Sequence, residues 1–291
     1  MDRTGGTFLH TSRTNPSKVR VKDTPAFLLD SKWGKVIDEA EGVKDYTDYI
    51  LTVIDHLNLD SLITIGGDDT LSYSARLVKE GVKLNAIPKT MDNDVLGTEY
   101  CIGFSTAITQ AVKLITNFRT SIGSHERIGV VELFGRNSGE TALITGYLSY
   151  ADRTIICEVP FNMQTVAEML AEDKRNCNSH YSFCVISEGA HTEGGEIVQT
   201  GEADAYGHRK LGGIGEILSD QIKALTGNNT MYQKLGYMVR SGAADMLDRM
   251  VAMNYGALAM QMTSRGVFGM MVGIIDGNYS VVPVDTVISA K

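Results

Sequence analysis

The sequence predicts an α/β protein in which parallel strands alternate with helices. Short runs rich in Ile, Val and Leu alternate with longer segments whose apolar residues recur at helical spacing, which is the pattern of strand–helix units. Polar, glycine-containing motifs follow several of the runs, as they do at the ligand-binding edge of a parallel sheet. The 291 residues, 43% of them hydrophobic and 21% charged, are enough for two globular domains.

The elements are assigned in chain order from these patterns. Apolar runs interpreted as strands are Ser61 to Ile65, Leu84 to Ile87, Ile128 to Phe134, Thr154 to Val159, Ser182 to Ser187 and Phe268 to Ile275. Segments interpreted as helices are Tyr46 to Leu57, Leu71 to Glu80, Ser105 to Thr120, Ser138 to Tyr150, Gln164 to Asn176, Gly213 to Leu225 and Ala243 to Ser264. Methionines of the last helix that share helical spacing, and are interpreted as core, are Met246, Met250, Met253 and Met260.

Composition excludes several classes of partner and site. The net charge of -8 and the pI near 5.3 argue against general attraction to nucleic acid or to an anionic membrane, because both bind through excess Lys and Arg. No apolar run is long enough to span a bilayer and the first residues lack the apolar core of a signal peptide, so a cytoplasmic protein is expected. The four cysteines form no CxxC pair and the six histidines no HxxxH spacing, so neither a disulfide nor a histidine-based metal site is expected.

The first polar motif, Gly66 to Thr70, follows the first predicted strand. Two glycines after a strand let the backbone approach a phosphate, and the carboxylate of Asp68 beside them could hold Mg²⁺ with phosphate oxygens completing its shell. The alternative is a tight strand-to-helix turn in which Asp68 or Asp69 caps the helix that begins near Leu71.

The second polar motif follows the next predicted strand and carries a mixed set of charges. Lys89, Thr90, Asp92 and Asp94 place a cation, a hydroxyl and two carboxylates on one short loop. Phosphoryl transfer needs this combination, because a carboxylate accepts the proton of the attacking hydroxyl and a cation offsets charge on the transferred group. The alternative is a turn rich in Asx caps.

Further candidates are charged residues near strand ends or between glycines. Arg136 precedes a predicted helix N-terminus and suits a sugar-phosphate site, whereas Arg127 lies at the opposite end of the same strand, too far away to share its ligand within one subunit. Arg240 lies between Gly236 and Gly242 and is a candidate anion ligand. Glu188 could accept hydrogen bonds from sugar hydroxyls or could cap a helix.

Taken together, these motifs resemble those of the phosphofructokinase family, in the family's order and across nearly the whole chain. The matching segments are Gly5 to Arg13, Gly66 to Thr70, Pro88 to Asp94, Ile102 to Phe104, Glu132 to Arg136 and Gly236 to Gly242. The resemblance implies transfer of a phosphoryl group to the 1-hydroxyl of fructose 6-phosphate, giving fructose 1,6-bisphosphate in glycolysis.

The resemblance also implies roles for single residues in donor binding and in the phosphoryl transfer itself. Asp68 would bind Mg²⁺, and Asp92 would deprotonate the 1-hydroxyl. Arg13 would contact the donor phosphates. Donor-binding positions are Gly66, Gly67 and Thr70.

On the sugar side, Thr90 and Asp94 would hold the substrate around its reacting hydroxyl, and Glu188 would bind sugar hydroxyls. Phe134 and Gly135 stand with Arg136 where the family usually has Met-Gly-Arg, and this arginine would lie near the transferred group or the sugar. Residues of the 6-phosphate pocket would be Tyr237, Arg240 and, from a neighbouring subunit, Arg127. The last role implies a homodimer or homotetramer.

Two positions indicate pyrophosphate as the donor. ATP-using members of the family carry Gly at the position of Asp69 and often at that of Lys89, whereas pyrophosphate-using members resemble this chain at both. A carboxylate about 4 Å from the α-phosphate of ATP would cost about 4 kcal/mol at an effective dielectric constant near 20. Lys89 could stabilise charge on a pyrophosphate that lacks the nucleoside.

By the same resemblance the chain forms two doubly wound three-layer α/β/α domains with the active site in the cleft between them. Residues 1–103 with 244–291 would be the donor domain and residues 104–243 the sugar-phosphate domain. The family's N-terminal GGxxPG donor loop and part of its C-terminus are not in this sequence, so the donor domain is expected to be incomplete. A basic residue is also expected shortly before Gly236; Met231 stands there, with Lys234 the nearby cation.

Two alternatives remain at this stage. One is an ATP-dependent 6-phosphofructokinase. The other is a non-catalytic remnant or subunit that binds a sugar phosphate and transfers nothing. A nicotinamide-dependent dehydrogenase is disfavoured, because no GxGxxG motif follows an early strand.

Overall fold

A computed structural model describes residues 6–12, 14–200 and 210–288 and confirms the predicted α/β class. Two four-stranded sheets, mostly parallel, each carry helices on both faces. Among the described residues, no helix combines the length and the apolar character that a membrane crossing requires.

The strands and helices have the following bounds. The strands are β1 (Val19–Arg20), β2 (Lys35–Asp38), β3 (Val43–Asp45), β4 (Leu62–Gly66), β5 (Leu84–Pro88), β6 (Ile128–Leu133), β7 (Arg153–Ile155), β8 (Ser182–Ser187), β9 (Gln199–Thr200), β10 (Lys210–Leu211), β11 (Thr230–Lys234), β12 (Met270–Ile275) and β13 (Asn278–Pro283). The helices are α1 (Ala26–Leu29), α2 (Thr47–His56), α3 (Asp68–Lys79), α4 (Phe104–Ser124), α5 (Glu140–Leu148), α6 (Met163–Asn176), α7 (Ile214–Thr226) and α8 (Met246–Ser264). Short 3₁₀ helices are Val21–Asp23, Gly236–Arg240 and Val284–Ile288.

The first sheet, here called the β5 sheet, has the order β13-β12-β5-β4. Strands β4, β5 and β12 are parallel, and β13 returns antiparallel beside β12. Helix α3 packs on one face around Leu71, and helix α8 packs on the other face around Tyr255. The carboxyl ends of β4 and β5 therefore lie side by side, with Gly66 paired to Pro88.

The second sheet, here called the β6 sheet, has the order β11-β6-β8-β7 and is parallel throughout. Helices α6 and α7 cover one face and helices α4 and α5 the other. Every residue of β6 and β8 is buried. These two strands therefore form the centre of this half of the protein, as long apolar runs in a parallel sheet predict.

Some elements differ from the sequence prediction. Helix α3 begins at Asp68 rather than at Leu71, and the strand predicted from Thr154 is the shorter Arg153–Ile155. Edge strands β11 and β13 were not predicted, because their mixture of polar and apolar residues lacks the continuous apolar run of a central strand. A small antiparallel sheet of β1, β3 and β2 was also missed.

The interpretation of the α8 methionines as core residues is wrong. These four side chains are between 52% and 76% exposed. A second stripe on the same helix, which includes Val251, Tyr255 and Ala259, faces the β5 sheet instead. Both stripes have helical spacing, so periodicity alone could not choose between them.

The chain passes from one sheet to the other through two connections, which lead into the N-termini of α4 and α8. One buried carboxylate links these two connections. Asp248, on the first turn of α8, is 1% exposed. Its oxygens accept hydrogen bonds from the Gly103 N–H and the Tyr100 hydroxyl, each at 2.8 Å, and from the Thr106 N–H at 2.8 Å and the Thr106 hydroxyl. Each donor belongs to the segment that enters α4, so this carboxylate ties the two connections together.

Asp245 adds a second link at the same place. Its side chain caps α8 by accepting from the Asp248 N–H at 2.9 Å, and it also accepts from the hydroxyls of Ser105 at 2.6 Å and Thr109 at 2.9 Å. Burial alone would raise the pKa of Asp245, but these hydrogen bonds outweigh it and lower the pKa. The carboxylate is thus stabilised in its charged form at a helix N-terminus, where the helix dipole also favours it.

We expect Asp248→Asn to lower the free energy of unfolding by about 2 to 3 kcal/mol, because one carboxamide oxygen cannot accept from all four donors. Urea denaturation followed by circular dichroism measures this difference. Asp220→Asn, on the exposed face of α7, is the matched control and should change stability by less than about 0.5 kcal/mol. Equal stability of the two variants would show that the Asp248 contacts contribute little.

Candidate active site

The loops that follow β4 and β5 contact each other directly. The Lys89 N–H donates to the Gly66 carbonyl at 2.8 Å. A Cβ placed on Gly67 would lie 3.5 Å from the Cβ of Thr90, so the two glycines lie against the Lys89 to Asp94 loop. The first two polar motifs of the sequence therefore form one surface.

Helix α3 begins within the first motif. Its N-cap is Gly67, and no side chain caps it. Asp68 Oδ1 instead accepts from the N–H of Asp69 at 2.8 Å, within the first turn. Gly67, and not Asp68 or Asp69, is therefore the N-cap residue of this helix.

Asp92 lies at the centre of the candidate site. Its side chain is 8% exposed, and Oδ1 is buried without a hydrogen-bond partner among the described residues. Thr90 Oγ1 lies 3.5 Å from Oδ2 and accepts from the Asp92 N–H at 3.2 Å. Burial raises the pKa of Asp92, although Arg240 and Arg136 oppose the rise by favouring the carboxylate. A buried carboxylate with one unpartnered oxygen, close enough to two arginines for their charges to lower its pKa, is a candidate proton acceptor.

Asp68 and Asp94 flank this carboxylate and make the site strongly acidic. Partial burial, together with repulsion from Asp92 and Asp68, raises the pKa of Asp94 to about 6, although its side chain reaches solvent. Asp68 likewise raises the pKa of Asp92. Carboxylates that raise one another's pKa values favour a cation between them and a phosphate.

The carboxylate set fits Mg²⁺ better than a cage-forming metal. Within the part of the chain that the structure describes, no three His, Cys, Asp or Glu side chains converge as a ready-made metal site. Mg²⁺ is bound in proteins by one or two carboxylates, with water and substrate phosphates completing its octahedral shell. Asp68, at the N-terminus of α3 and close enough to Asp92 and Asp94 to raise their pKa values, fits such a partial ligand set.

Arg136 and Glu188 come from the β6 sheet. The Arg136 N–H lies 3.4 Å from Glu188 Oε1, and Arg136 itself adopts a left-handed backbone with φ of 40°. A Cβ on Gly189 would lie 1.9 Å from the Arg136 carbonyl oxygen, so only glycine allows this close approach of the two loops. Burial raises the pKa of Glu188 to about 7, with Lys234 opposing the rise.

Arg240 is held over aromatic rings rather than by a carboxylate. Its guanidinium carbon lies 5.1 Å from the Phe134 ring centre and 5.7 Å from that of Tyr237, and its Nε lies 3.0 Å from the Met91 sulfur. The two rings meet edge to face at 5.2 Å. Arg240 is exposed, so its remaining donors reach solvent beside Asp92 and are available for an anion.

The structure thus brings most of the predicted site residues together and leaves Arg127 apart. The contacts and charge interactions above connect Gly66, Gly67, Asp68, Lys89, Thr90, Asp92, Asp94, Phe134, Arg136, Glu188, Tyr237 and Arg240, and Gly135 adjoins Phe134 and Arg136 in the chain. Asp69 and Thr70 follow on the first turn of α3. Arg127 lies just before β6, at the end of the strand opposite Arg136, and Arg13 lies outside the described residues.

Sequence reasoning gave no role to a buried charge beside the site. Glu132, on β6, is fully buried and pairs with Lys234 at 2.7 Å. The signal was a single carboxylate inside the apolar strand Ile128–Leu133, since such a charge is almost never buried unless it is paired. The partner could not be identified, because β11 was not predicted.

Comparisons with known proteins identify the family of this chain. A family model described as Phosphofructokinase matches residues 1–263. The pyrophosphate--fructose 6-phosphate 1-phosphotransferase of Thermoproteus tenax is 36% identical over 286 residues, which cover 98% of this chain and 75% of that protein. The ATP-dependent 6-phosphofructokinase of Chloroflexus aurantiacus is 36% identical over 231 residues, which cover 79% of this chain and 63% of that protein.

Solved structures show the same fold. A pyrophosphate-dependent phosphofructokinase from Marinobacter aquaeolei superposes with a TM-score of 0.67 at 20% identity, covering 81% of this chain and 61% of that one. The chain therefore spans about three fifths of the length of that solved protein.

Proposed function

Because the chain belongs to the phosphofructokinase family, we propose that it transfers a phosphoryl group from pyrophosphate to the 1-hydroxyl of fructose 6-phosphate. The products are fructose 1,6-bisphosphate and phosphate, and the reaction is a step of glycolysis in the cytoplasm. The chain is a phosphotransferase with an alcohol group as acceptor. The relatives named for pyrophosphate and the pair Asp69 and Lys89 support this donor over ATP.

The observation that carries the proposal is the buried, unpartnered Oδ1 of Asp92, whose pKa is raised by burial and lowered by the charges of Arg240 and Arg136. In the reaction Asp92 accepts the proton of the 1-hydroxyl as that oxygen attacks the phosphorus. Its raised pKa brings the base closer to the working pH, which makes proton transfer more efficient. Arg136 offsets the negative charge on the transferred group.

The surrounding residues orient the sugar phosphate. Thr90 and Asp94 bind it beside the attacking hydroxyl, and Glu188 accepts hydrogen bonds from the other sugar hydroxyls. Arg240 and Tyr237 bind the 6-phosphate, with Phe134 holding the guanidinium in place. A non-catalytic binding role is disfavoured, because binding alone gives no reason to keep a carboxylate buried without a partner next to the sugar site.

Asp68 is the residue that would hold Mg²⁺. A Mg²⁺ ion held there would offset negative charge on the pyrophosphate and on the phosphate that it releases. The Gly66 and Gly67 backbone lies close enough to the Lys89 loop to place a donor phosphate beside Thr70 and Lys89.

Asp92→Asn should lower kcat by about 10²- to 10⁴-fold, because the amide cannot accept the proton. Binding of fructose 6-phosphate, measured by calorimetry, should stay mostly intact. Asp220→Asn serves as the surface control in a coupled assay with pyrophosphate and Mg²⁺. An unchanged kcat in the Asp92 variant would remove this residue from the mechanism.

The donor preference is expected to depend on Asp69 and Lys89. Asp69→Gly should admit ATP: the kcat/KM for ATP should rise by up to roughly a thousandfold, which corresponds to about 4 kcal/mol of removed repulsion. The same variant should use pyrophosphate less well. Asp69→Asn keeps the size but removes the charge, so it separates repulsion from steric exclusion. Lys89→Gly should lower kcat with pyrophosphate more than it changes fructose 6-phosphate binding. A parent enzyme that prefers ATP to pyrophosphate would contradict the donor assignment.

The position of Arg127 supports a site shared between subunits. The residue lies at the end of β6 away from Arg136, where it cannot join the same site within one chain. We therefore place it at the 6-phosphate of a neighbouring subunit in a homodimer or homotetramer.

The sheets support the proposed division into domains. Strands of the β5 sheet come from residues 62–88 and 270–283, and those of the β6 sheet come from residues 128–234. This origin supports a donor domain of residues 1–103 with 244–291 and a sugar-phosphate domain of residues 104–243.

Arg127→Ala should weaken fructose 6-phosphate binding by about 1.5 to 3 kcal/mol, the contribution of one charge-assisted pair. Refolding this variant together with Asp92→Asn should restore activity above that of either parent, because mixed oligomers contain a site with both residues intact. Arg175→Ala on α6 is the surface control. A mixture no more active than its parents would place Arg127 outside a shared site.

A further inference from the structure

Three charged residues lie together at the carboxyl edge of the β6 sheet. Lys234 ends β11 and pairs in register with Glu132 on β6, and Glu188 follows directly after β8. Because β11, β6 and β8 are neighbours in a parallel sheet, these positions share one edge. Lys234 has no role in the function proposed above.

Glu132 is held in one position by its surroundings. Its oxygens accept from the Gly213 N–H at 3.0 and 3.2 Å, the Gly215 N–H at 2.9 Å and the Tyr232 hydroxyl at 3.0 Å. These donors lie at the start of α7 and on β11. A fully buried carboxylate with this many donors is a fixed anchor for the cation beside it.

Lys234 is fixed in turn. Its Nζ lies 2.7 Å from Glu132 Oε1 and donates to the Leu211 carbonyl at 3.2 Å. A Cβ on Gly212 would lie 1.8 Å from Nζ, so the backbone closes tightly around the ammonium group. Glu188 Oε2 lies 3.8 Å from the same Nζ, too far for a hydrogen bond but close enough for electrostatic attraction.

We propose that Lys234 is a positioning residue for sugar binding: anchored by Glu132 and the Leu211 carbonyl, it holds Glu188 as an ionised acceptor for sugar hydroxyls. This inference rests on the proposed role of Glu188 in the phosphofructokinase reaction. It adds a residue that touches no substrate and acts through the charge of its neighbour.

The charges around Glu188 support this role. Burial raises its pKa to about 7, Lys234 and the Arg136 N–H lower it, and Glu132 and Asp92 raise it. At neutral pH the carboxyl is therefore close to half ionised, and Lys234 is the strongest influence that favours ionisation. Without Lys234 the neutral acid predominates at pH 7, and it is a weaker acceptor than the carboxylate.

The test compares Lys234→Met with the wild type and with Lys223→Met, an exposed lysine on α7 that loses the same charge. At pH 7 we expect the KM for fructose 6-phosphate to rise about tenfold in the Lys234 variant, as one charge-assisted hydrogen bond weakens. The value of kcat at saturation should change much less, and the KM should approach that of the wild type as the pH rises above about 8. Lys223→Met should follow the wild-type pH profile.

Removal of Lys234 leaves Glu132 buried without its cation, so a second variant guards against loss of folding. Glu132→Gln with Lys234→Met removes both charges while the amide oxygen still accepts from Gly213 and Gly215. If the single variant does not fold, this double variant carries the test and should shift the KM profile in the same direction by a smaller amount, because loss of the Glu132 charge lowers the pKa of Glu188. An unchanged KM profile in the folded variant, or a fall in kcat at constant KM, overturns the proposal.

A direct titration separates this proposal from the proposed function. Carbon-13 NMR of protein labelled at the glutamate carboxyl carbon, with the Glu188 signal assigned from Glu188→Gln, reports the pKa of Glu188 without any turnover. We expect a value near 7 in the wild type and a higher one in the lysine variant. An unchanged Glu188 pKa refutes the role of Lys234 even in an active enzyme. A raised pKa in a protein that transfers no phosphoryl group would instead refute the proposed function.

Discussion

The Asp248 carboxylate joins the two places where the chain passes between its sheets, and the site depends on that junction. The Gly103 N–H that it binds belongs to a residue in close contact with the catalytic loop, since a Cβ on Gly103 would lie 3.6 Å from the Met91 nitrogen and the Thr90 carbonyl. The other connection follows Arg240 within a few residues. One buried charge therefore sets how the acidic loop of the β5 sheet meets the arginines of the β6 sheet.

The charge balance of the site follows from this contact between the acidic loop and the arginines. Asp92 is buried without a full set of hydrogen bonds, and Arg136 and Arg240 only partly offset the cost of its charge. Asp94 and Glu188 have pKa values raised to about 6 and about 7 for the same reason. Incomplete neutralisation of this kind is typical of functional sites, where groups with perturbed pKa values cluster.

Sequence reasoning predicted the fold class and most of the central elements, because buried parallel strands are continuous apolar runs and their helices are periodic. The strand from Ser182 to Ser187 has the predicted bounds. The failures lie at edges and on surfaces. Strand β11 mixes polar and apolar residues and so lacks the apolar run that identifies a central strand. Helix α8 has two stripes of residues at helical spacing, and the stripe containing Tyr255 faces the sheet. Local pattern cannot state which neighbour an edge strand or a helix face will contact.

The sequence by itself determined which residue types follow each strand: the paired glycines and aspartates, the Lys89 to Asp94 loop and the arginine after β6. These are local features, since a parallel sheet places the residues after its strands at one edge. Only the tertiary structure decided that Lys234 lies between Glu132 and Glu188, and that Asp248 joins the two sheets. Burial and charge–charge distance set these interactions, and both depend on packing between segments far apart in the chain, which no local pattern records.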